Sequence, residues 1–402
     1  METTGEPPEI MFTMVAVSGT NRQGRLMGAQ TEDEDEELTP VGLHSYERLE
    51  GMDRTNFPQY LRKFYQQLLE GGEWVEAHGF FQFSRASFNV DCRFHHPQLR
   101  HLVWATTNHD VFFMSGSGVT HWDSHRRKRT RILTESLEND SIMTIAAKET
   151  LVLVGGRNGE VVARDVASNR DIFCGYITQE ANAIVNTLDI FSPRSGSTCA
   201  MSCCNDQTLR LFDCEGFREF RRLNFEFAVN HASRRPQTNV FCVAGDAEDI
   251  LIVDSDSGRH LHRLQGHQDY SFATSWHKDG YLFATGNQDF TCRIWDLRNL
   301  RNSLVVLPSK REAVRSVAFS TDGAFLFMAE AGSSVHIFDV RGGTFPSRQE
   351  LQLFGEISGI SCSPDSGRLF VGVSGQTGTH LGSCLLEFDR KMCHLAGALS
   401  CP

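Results

Sequence analysis

A hydroxyl, an imidazole and a carboxylate occur close together in this chain, at Thr285, His267 and Asp289. These are the groups of a nucleophilic triad, in which the imidazole removes the hydroxyl proton and the carboxylate orients the imidazole. A triad also needs an exposed, activated oxygen beside an oxyanion hole, and the sequence contains no Gly-x-Ser-x-Gly elbow. A hydrolase is therefore the weakest of the functional hypotheses that we carry forward.

Other reactive side chains lack the spacing of a site. His95-His96 and the pair His260 and His262 have no cysteine or carboxylate partner at the spacing of metal ligands. The tightest cysteine cluster, within residues 199–204, has no second ligand pair. No glycine-rich stretch ends in the Gly-Lys-Ser/Thr of a phosphate-binding loop. We therefore predict no metal site, no cofactor and no enzymatic activity.

The composition indicates a globular protein. Hydrophobic residues make up 40% of the 402 residues, which is enough apolar material for a large core. The net charge of −11 opposes general attraction to nucleic acid or to an anionic membrane. No apolar stretch reaches membrane-spanning length, and the first thirty residues lack the pattern of a signal peptide. We expect a monomer of the cytoplasm, the nucleus or both, with no membrane contact and with nucleic acid disfavoured as a partner.

The beginning of the chain differs from the rest. Residues 1–52 have little periodicity, and residues 32–37 are six consecutive carboxylates, which repel one another. Residues 53–78 place apolar side chains at helical spacing, with Pro58 in the first turn. The sequence predicts a disordered acidic tail over 1–52, then one short amphipathic helix and a linker over 53–78.

Beyond residue 79 the pattern is that of strands and repeats. Short apolar runs are separated by turn pairs such as Asn158-Gly159 and Asp322-Gly323. A turn position recurs before an Asp-ended strand at residues 110, 159, 206, 247, 289, 332 and 382, with spacings of 41 to 50. A four-stranded propeller blade takes ~40–45 residues. The first of these turn positions, residue 110, places Trp122-Asp123 on the outer strand of the first blade. The Trp-Asp pair there would then match the repeat pattern only by chance. The prediction is an all-β fold, a seven-bladed β-propeller over 79–393, followed by a C-terminal tail over 394–402.

Closure of the ring requires a strand from the other end of the chain. The last repeat supplies three strands and ends at Phe388-Asp389. The strand-like segment before the first blade is Gly79 to Phe83. We predict that residues 79–83 form the outer strand of the seventh blade.

One repeat identifies the type of propeller. The unit from Gly266 to Asp296 resembles a WD repeat, because Gly266-His267 opens it and Trp295-Asp296 ends its third strand. The resemblance implies a buried structural network in which His267 bonds Thr285 and Asp289, with the Trp295 indole joining.

The resemblance can be narrowed. The runs 100–110, 266–276 and 354–359 are similar to a largely uncharacterised WD-repeat family of plants, fungi and algae. This family implies a fold and almost no biochemistry.

The leading functional hypothesis is a protein-protein interaction scaffold that binds a protein or peptide through the loops of its narrow face, alone or within a multiprotein complex. Tyr270 is the main candidate, because an exposed aromatic among mixed charges is typical of an interface hot spot. Packing of its ring against the neighbouring blade is the alternative. The other candidates for partner binding are Asp269, Asn287, Gln288, Arg311, Glu312, Asn108, His109 and Glu356.

A second hypothesis concerns the segment Phe283 to Arg298. It resembles the box through which some WD-repeat proteins dock, as substrate receptors, on the adaptor of a cullin-RING ubiquitin ligase. Trp295, Asp296 and Arg298 are the docking candidates, and Arg298 is the distinguishing residue. The alternative is that Arg298 only pairs with Asp296.

The basic run 125–131 also has two explanations. It fits a nuclear-localisation signal or a patch for an acidic partner. It also fits charges that keep an exposed strand edge from pairing with other chains.

Overall fold

The computed structural model describes residues 49–50 and 79–391, apart from residues 89, 134–136, 138–140, 194–195, 311, 344, 346 and 376–382. The described strands form seven sheets, and the first strand of each sheet contacts the first strand of the next until the ring closes. The chain is thus a seven-bladed β-propeller, as predicted. The predicted helix and the C-terminal tail lie outside the described residues. So does most of the predicted acidic tail.

Each blade is an antiparallel sheet whose first strand lies at the centre of the ring. The first strands of blades 1 to 7 are β3 (Val103–Ala105), β7 (Thr144–Lys148), β11 (Val185–Phe191), β15 (Val229–Arg234), β19 (Ser271–Trp276), β23 (Val314–Phe319) and β27 (Glu356–Cys362). The second strands are β4 (Asp110–Ser115), β8 (Leu151–Gly155), β12 (Cys199–Cys204), β16 (Val240–Gly245), β20 (Leu282–Asn287), β24 (Phe325–Glu330) and β28 (Arg368–Ser374).

The third and fourth strands complete the blades towards the outside of the ring. The third strands are β5 (Gly118–Asp123), β9 (Glu160–Asp165), β13 (Thr208–Asp213), β17 (Ile250–Asp254), β21 (Thr291–Asp296), β25 (Ser334–Asp339) and β29 (Cys384–Arg390). The fourth strands are β6 (Lys128–Leu133), β10 (Arg170–Tyr176), β14 (Arg218–Asn224), β18 (His260–Leu264), β22 (Val305–Pro308), β26 (Arg348–Gln352) and β2 (Phe81–Phe88). A 3-10 turn spans Arg341–Gly343.

We name the two ends of the ring by their loops. The upper face carries the loops that lead into the first strand of each blade and the turns between second and third strands. These are the loops that the sequence analysis assigned to the narrow face. The lower face carries the turns between first and second strands and those between third and fourth strands.

The first blade corrects one step of the sequence alignment. Trp122 and Asp123 end β5, the third strand of this blade, and pair with Val111 and Asp110 of β4. They therefore occupy the same place as Trp295-Asp296 and are not a chance match on the outer strand. Asp110 begins the second strand, so the turn that matches Asp289 lies near Gly116. The basic run lies on the turn before β6 and on β6 itself.

A hydrophobic cluster fills each of the seven interfaces between neighbouring blades. Adjacent strand residues contribute to different clusters, as Cys203 and Cys204 of β12 show. Cys203 packs with blade 4, and Cys204 packs with blade 2. Every blade is therefore apolar on both of its faces.

The ring is closed by a strand from the N-terminal side of the propeller. β2 pairs antiparallel with β29 over Phe81 to Phe88, a longer strand than the predicted segment 79–83. Leu49–Glu50 (β1), within the predicted tail, pairs in parallel with β2.

Blade 6 also holds the closing strand. The Gln349 side chain accepts hydrogen bonds from the Phe80 and Phe81 N–H groups at 2.7 and 2.8 Å, and it donates to the Phe81 carbonyl at 2.7 Å. The Phe81 ring packs against Phe325 and Phe327.

A β-bulge lies near the upper end of the first strand in blades 3 to 7. The bulged residues are Asn186, Asn230, Phe272, Arg315 and Ser358. A bulge leaves one residue out of the ladder and redirects its side chain. Asn186 uses this freedom to donate to the Val229 carbonyl of the next blade at 2.9 Å.

A segment before β3, which we call the plug (residues 94–102), crosses the centre of the upper face. Gln98 Nε2 donates to Gln288 Oε1 of blade 5 at 3.4 Å, and Arg100 Nη2 lies 3.0 Å from Glu356 Oε2 of blade 7. The Arg100 carbonyl accepts a hydrogen bond from Ser316 Oγ of blade 6 at 3.4 Å. The plug is therefore tied to several blades across the centre of the ring.

His101, near the end of the plug, stands beside His231 with the ring centroids 4.5 Å apart. His101 Nε2 donates to the Phe272 carbonyl at 3.2 Å. Burial lowers the pKa of His101 to about 4, although this hydrogen bond acts in the opposite direction. Burial and the neighbouring His101 lower the pKa of His231 as well. Both rings are therefore neutral at pH 7.

The closing strand gives the first testable prediction. Phe81→Ala should lower the free energy of unfolding by ~3–5 kcal/mol, because it leaves a cavity between the seventh and sixth blades. Gln82→Ala is the matched control, since Gln82 is exposed on the same strand, and it should change the free energy little. Urea unfolding of both variants measures the difference. Equal effects would contradict the role given to the closing strand.

The histidine pair gives a prediction about pH. The folded pKa of His101 lies below the ordinary value of 6.5, so the unfolded chain binds more protons below that pH. The free energy of unfolding should have its full value above pH 6.5 and should fall as the pH drops towards 4. His101→Gln, which keeps a donor for the Phe272 carbonyl, should remove ~2–3 kcal/mol of this loss. Urea unfolding at pH 7 and pH 4.5 checks it, with exposed His262→Gln as control; identical pH dependence in all three proteins would contradict the assignment.

Candidate functional site

The four residues of the predicted WD network lie together inside blade 5. His267 Nδ1 donates to Asp289 Oδ2 at 2.9 Å, and His267 Nε2 accepts from the Thr285 hydroxyl at 2.8 Å. The Trp295 indole N–H donates to the same Thr285 oxygen at 2.9 Å. Each polar group in this network has a partner, which is the condition for burying it at low cost.

Burial and hydrogen bonding set the protonation states of this network. Burial lowers the pKa of His267, so its ring is neutral at pH 7. Burial alone would raise the pKa of Asp289, but hydrogen bonds from His267 and Thr291 outweigh it and hold the value at about 2. A neutral imidazole beside an ionised carboxylate fits the donor and acceptor roles above.

The same geometry argues against nucleophilic chemistry at Thr285. Its side chain has no exposed surface, and its oxygen already accepts a hydrogen bond from Trp295. A nucleophile must reach a substrate carbonyl, so this hydroxyl serves the fold.

Tyr270 lies on the upper face, on the loop that leads into blade 5, and 43% of it is exposed. Its carbonyl accepts a hydrogen bond from the Gln288 N–H at 2.9 Å, which joins this loop to the turn between β20 and β21. That turn carries Phe290, which is 53% exposed. Two exposed aromatic side chains therefore stand on two loops that are bonded to each other.

Phe290 was not among the predicted residues, and its backbone is unusual. Its φ is +65°, in the left-handed region that a bulky side chain disfavours. At the corresponding turn, blade 2 has Gly159 and blade 3 has Gln207, also at positive φ. The signal in the sequence that could have identified Phe290 is an aromatic residue directly after Asp289, inside a turn.

The other predicted binding residues of blade 5 differ in their exposure. Asn287 is fully buried and donates to the Asp269 carbonyl at 2.5 Å and to Ser271 Oγ at 2.7 Å, so it holds the loop in place. Asp269 and Gln288 are partly exposed. Gln288 Oε1 accepts from Arg315 Nη2 at 3.0 Å. Asn287 is therefore a structural residue, whereas Asp269 and Gln288 stand beside Tyr270.

Two predicted residues lie further round the upper face, towards blades 6 and 7. Glu312 is exposed on the loop into blade 6. Burial, with the charges of Glu330 and Glu356, raises its pKa. Glu356 begins β27 and pairs with Arg100 of the plug. Arg311 lies outside the described residues.

Asn108 and His109 are on the other face of the ring. They belong to the turn between β3 and β4, and the His109 carbonyl accepts from the Ser124 N–H of another lower-face turn. The prediction that they lie on the narrow-face loops is wrong. The cause is the turn position taken at residue 110. It lies at a turn between first and second strands, which the sequence alignment matched to turns between second and third strands.

Arg298, which is one of the three adaptor-docking candidates, also lies on the lower face. Its guanidinium pairs with Asp296 at 2.7 Å and lies 5.1 Å from the centre of the Tyr281 ring. Hydrogen bonding to Asp296 raises the pKa of Arg298. The side chain is still 64% exposed, whereas Trp295 is buried in the blade. Of the three docking candidates, Arg298 is therefore the one that is largely exposed on the lower face, beside Tyr281.

Sequence comparisons agree with this architecture. Residues 258–296 match the family model described as WD domain, G-beta repeat. Residues 312–351 match a model described as an uncharacterised protein domain. Neither description is that of a catalytic family. No helix in the described ranges is long and apolar enough to cross a membrane.

Several curated proteins are similar to parts of the chain. An uncharacterized protein of Schizosaccharomyces pombe is 25% identical over 42% of this chain and 58% of its own length. DDB1- and CUL4-associated factor 10 of Homo sapiens is 28% identical over 28% of this chain and 20% of its own. The guanine nucleotide-binding protein subunit beta of Zea mays is 28% identical over 33% of this chain and 39% of its own.

The chain spans less than two thirds of the length of each of these relatives. The narrower placement in a family of plants, fungi and algae stays a prediction. The repeat match covers the blade that holds the network of His267, Thr285, Asp289 and Trp295. Taken with the closed ring of seven four-stranded blades, it shows that the chain belongs to the WD-repeat β-propellers.

Proposed function

We propose that this protein is an interaction scaffold that binds a protein or peptide partner on its upper face, with Tyr270 and Phe290 as the anchoring side chains. The observation that carries the proposal is the exposed pair of aromatics on bonded loops, one of them at φ +65°. Residues kept in a disfavoured backbone region cost roughly 1–3 kcal/mol and cluster at functional sites.

The surroundings of this pair support binding. The loops stand on blade 5, where the WD network fixes the Asp289 turn to the sheet. A rigid surface loses little entropy when it binds, and an aromatic side chain buries much area with few rotatable bonds. Asp269 and Glu312 supply charged neighbours that orient a partner.

Tyr270→Ala should weaken partner binding by about 2 kcal/mol, or about 30-fold in Kd, because truncation removes most of the aromatic contact area. The melting temperature should change little, since the side chain is half-exposed. Recovery of partners from cell extract on the immobilised full chain, followed by titration of the recovered partner, measures both effects. Loss of binding together with a collapsed melting transition would make Tyr270 structural, as in the packing alternative.

Phe290→Asn separates binding from stability within the same test. Asparagine tolerates the left-handed region, so the free energy of unfolding should rise by ~1 kcal/mol while binding falls. Phe220→Ala is the matched control, because Phe220 is 57% exposed on β14, away from the upper-face loops of blade 5. Binding that stays unchanged in both Tyr270→Ala and Phe290→Asn would sink the proposal.

A second candidate function is favoured by the lower face of the same blade. Arg298 is largely exposed beside Tyr281, and one relative is named a DDB1- and CUL4-associated factor. These observations support docking of the chain, as a substrate receptor, on the adaptor of a cullin-RING ubiquitin ligase. The Arg298 pair with Asp296 is compatible with this role, because it fixes the guanidinium in one orientation.

Arg298→Ala should abolish co-purification of the adaptor without lowering the melting temperature, since the side chain contacts little of the core. Arg301→Ala removes an exposed arginine three positions further along and should leave co-purification intact. Immunoblotting of the purified complexes for the adaptor reads out both variants. Absence of the adaptor from the wild-type complex would rule the docking role out.

A further inference from the structure

Arg315 is a buried guanidinium whose donors are only partly used. It is the bulged residue of β23, and only 8% of it is exposed. Its Nη2 donates to Gln288 Oε1, and its guanidinium carbon lies 4.4 Å from the centre of the Phe272 ring. Its Nε and Nη1 make no hydrogen bond with any residue that the structure describes. A buried charge with unused donors opposes folding unless another group pairs with it.

The bulged residues of two other blades show that the ring does not need a charge at this place. Asn186 and Asn230 donate to carbonyls of the next blade, Val229 at 2.9 Å and Ser271 at 3.2 Å. These neutral amides bridge neighbouring blades. Arg315 instead contacts the preceding blade through Gln288 and Phe272. A neutral side chain is therefore sufficient to bridge two blades at this position, and bridging does not explain why Arg315 carries a charge.

A second buried guanidinium lies close by, on the plug. Arg100 is 3% exposed and stacks on the Phe94 ring at 3.2 Å. Its Nη1 donates to the His96 carbonyl at 3.3 Å, whereas its Nε has no hydrogen-bond partner within the described part of the chain. Burial lowers the pKa of each arginine to about 10, and Arg315 acts on Arg100 in the same direction. Both arginines are nevertheless charged at pH 7, and they repel each other.

The carboxylates around the two arginines are unevenly placed. Glu356 pairs directly with Arg100, at 3.0 Å. In the part of the chain that the structure describes, no carboxylate forms an ion pair with Arg315 within 4.0 Å. Asp269 and Glu312 act on Arg315 from further away. Among the described residues, the positive charge of Arg315 is therefore not neutralised by a carboxylate in direct contact, whereas that of Arg100 is.

We propose that Arg315, with Arg100, forms an oxyanion-binding site at the centre of the upper face, for a carboxylate or phosphate group of a bound peptide segment. This inference rests on the proposed function, because it names the chemistry of the partner that lies beside Tyr270. The planar guanidinium matches both oxyanions, with two parallel N–H donors. Gln288 is partly exposed and holds Arg315 Nη2, so the incoming group displaces its amide from that nitrogen.

The site is tested on the full chain with small anions. Melting temperatures are measured at constant ionic strength in sodium chloride, in sodium phosphate and in sodium acetate. A specific anion should raise the melting temperature by about 2 °C at ten times its Kd. The Arg315 Nε–H signal in a nitrogen-correlated NMR spectrum should shift with the same anion. A response to phosphate points to a phosphorylated segment, and a response to acetate points to an acidic side chain or a chain terminus.

Substitution of Arg315 decides between a binding role and a structural one. Arg315→Met should melt at or above the wild-type temperature in chloride, because it removes an unpaired buried charge, and it should lose the anion response. Arg259→Met, at an exposed arginine on the lower face, should keep the wild-type response. Comparison with Arg315→Met also removes the general stabilising effect of phosphate on proteins.

Two results with the Arg315→Met variant would overturn the site. One is an anion response that persists in Arg315→Met, and the other is an Arg315→Met variant that melts far below the wild type. A wild type whose melting temperature and Arg315 signal respond to neither anion would also overturn it. These results are distinct from a failure of the proposed function, which shows in partner binding by the Tyr270 and Phe290 variants.

Discussion

Each blade of this propeller is apolar on both faces of its sheet, so a blade can cover its surface only when a neighbour stands on either side. The seven hydrophobic clusters at the interfaces express this constraint, and only a closed ring satisfies it for every blade. Closure in turn requires β2 and β29, which come from opposite ends of the propeller, to pair in one sheet. The three hydrogen bonds of Gln349 then tie the same closing strand to blade 6. The loops of the upper face stand on this closed frame, which is why their geometry is fixed.

Within the blades, one structural requirement is met by different chemistry. The turn between the second and third strands must be held to its sheet. Blade 5 does this with His267 and Asp289, as a WD repeat implies. Blade 3 uses Asp206 and Arg210, which pair at 2.5 Å. Blade 6 uses Glu330 and His336, fully buried and 2.6 Å apart. In each pair the two side chains bond to each other, although Arg210 Nε and His336 Nδ1 have no hydrogen-bond partner among the described residues. The repeats can therefore diverge in sequence while the blade geometry stays the same.

The spacing of turns and Asp-ended strands was sufficient to predict the all-β class, the number of blades and the need for a closing strand. It did not locate the strands of the first blade correctly. Both hairpin turns of a blade are short and polar, so Ala105 to Asp110 resembles Ala284 to Asp289, and only strand pairing distinguishes them. The contacts at the centre of the upper face also could not be predicted from the sequence. Gln98 meets Gln288 across 190 positions of the chain, and no local pattern encodes that contact. Phe290 was missed because its exposure and its positive φ are properties of the folded turn.

Blade 5 has exposed side chains of two kinds, at opposite ends of the same sheet. Tyr270 and Phe290 are on the upper face, and Arg298 with Tyr281 is on the lower face. The strands β20 and β21 and the buried Trp295 lie between them, so a partner on one face does not overlap a partner on the other. The sheet that separates the two surfaces is held by the WD network and by its neighbouring blades, which makes their mutual orientation constant. A receptor that presents one protein to another needs that property. The buried contacts that close the ring thus also fix the geometry of the two proposed binding surfaces.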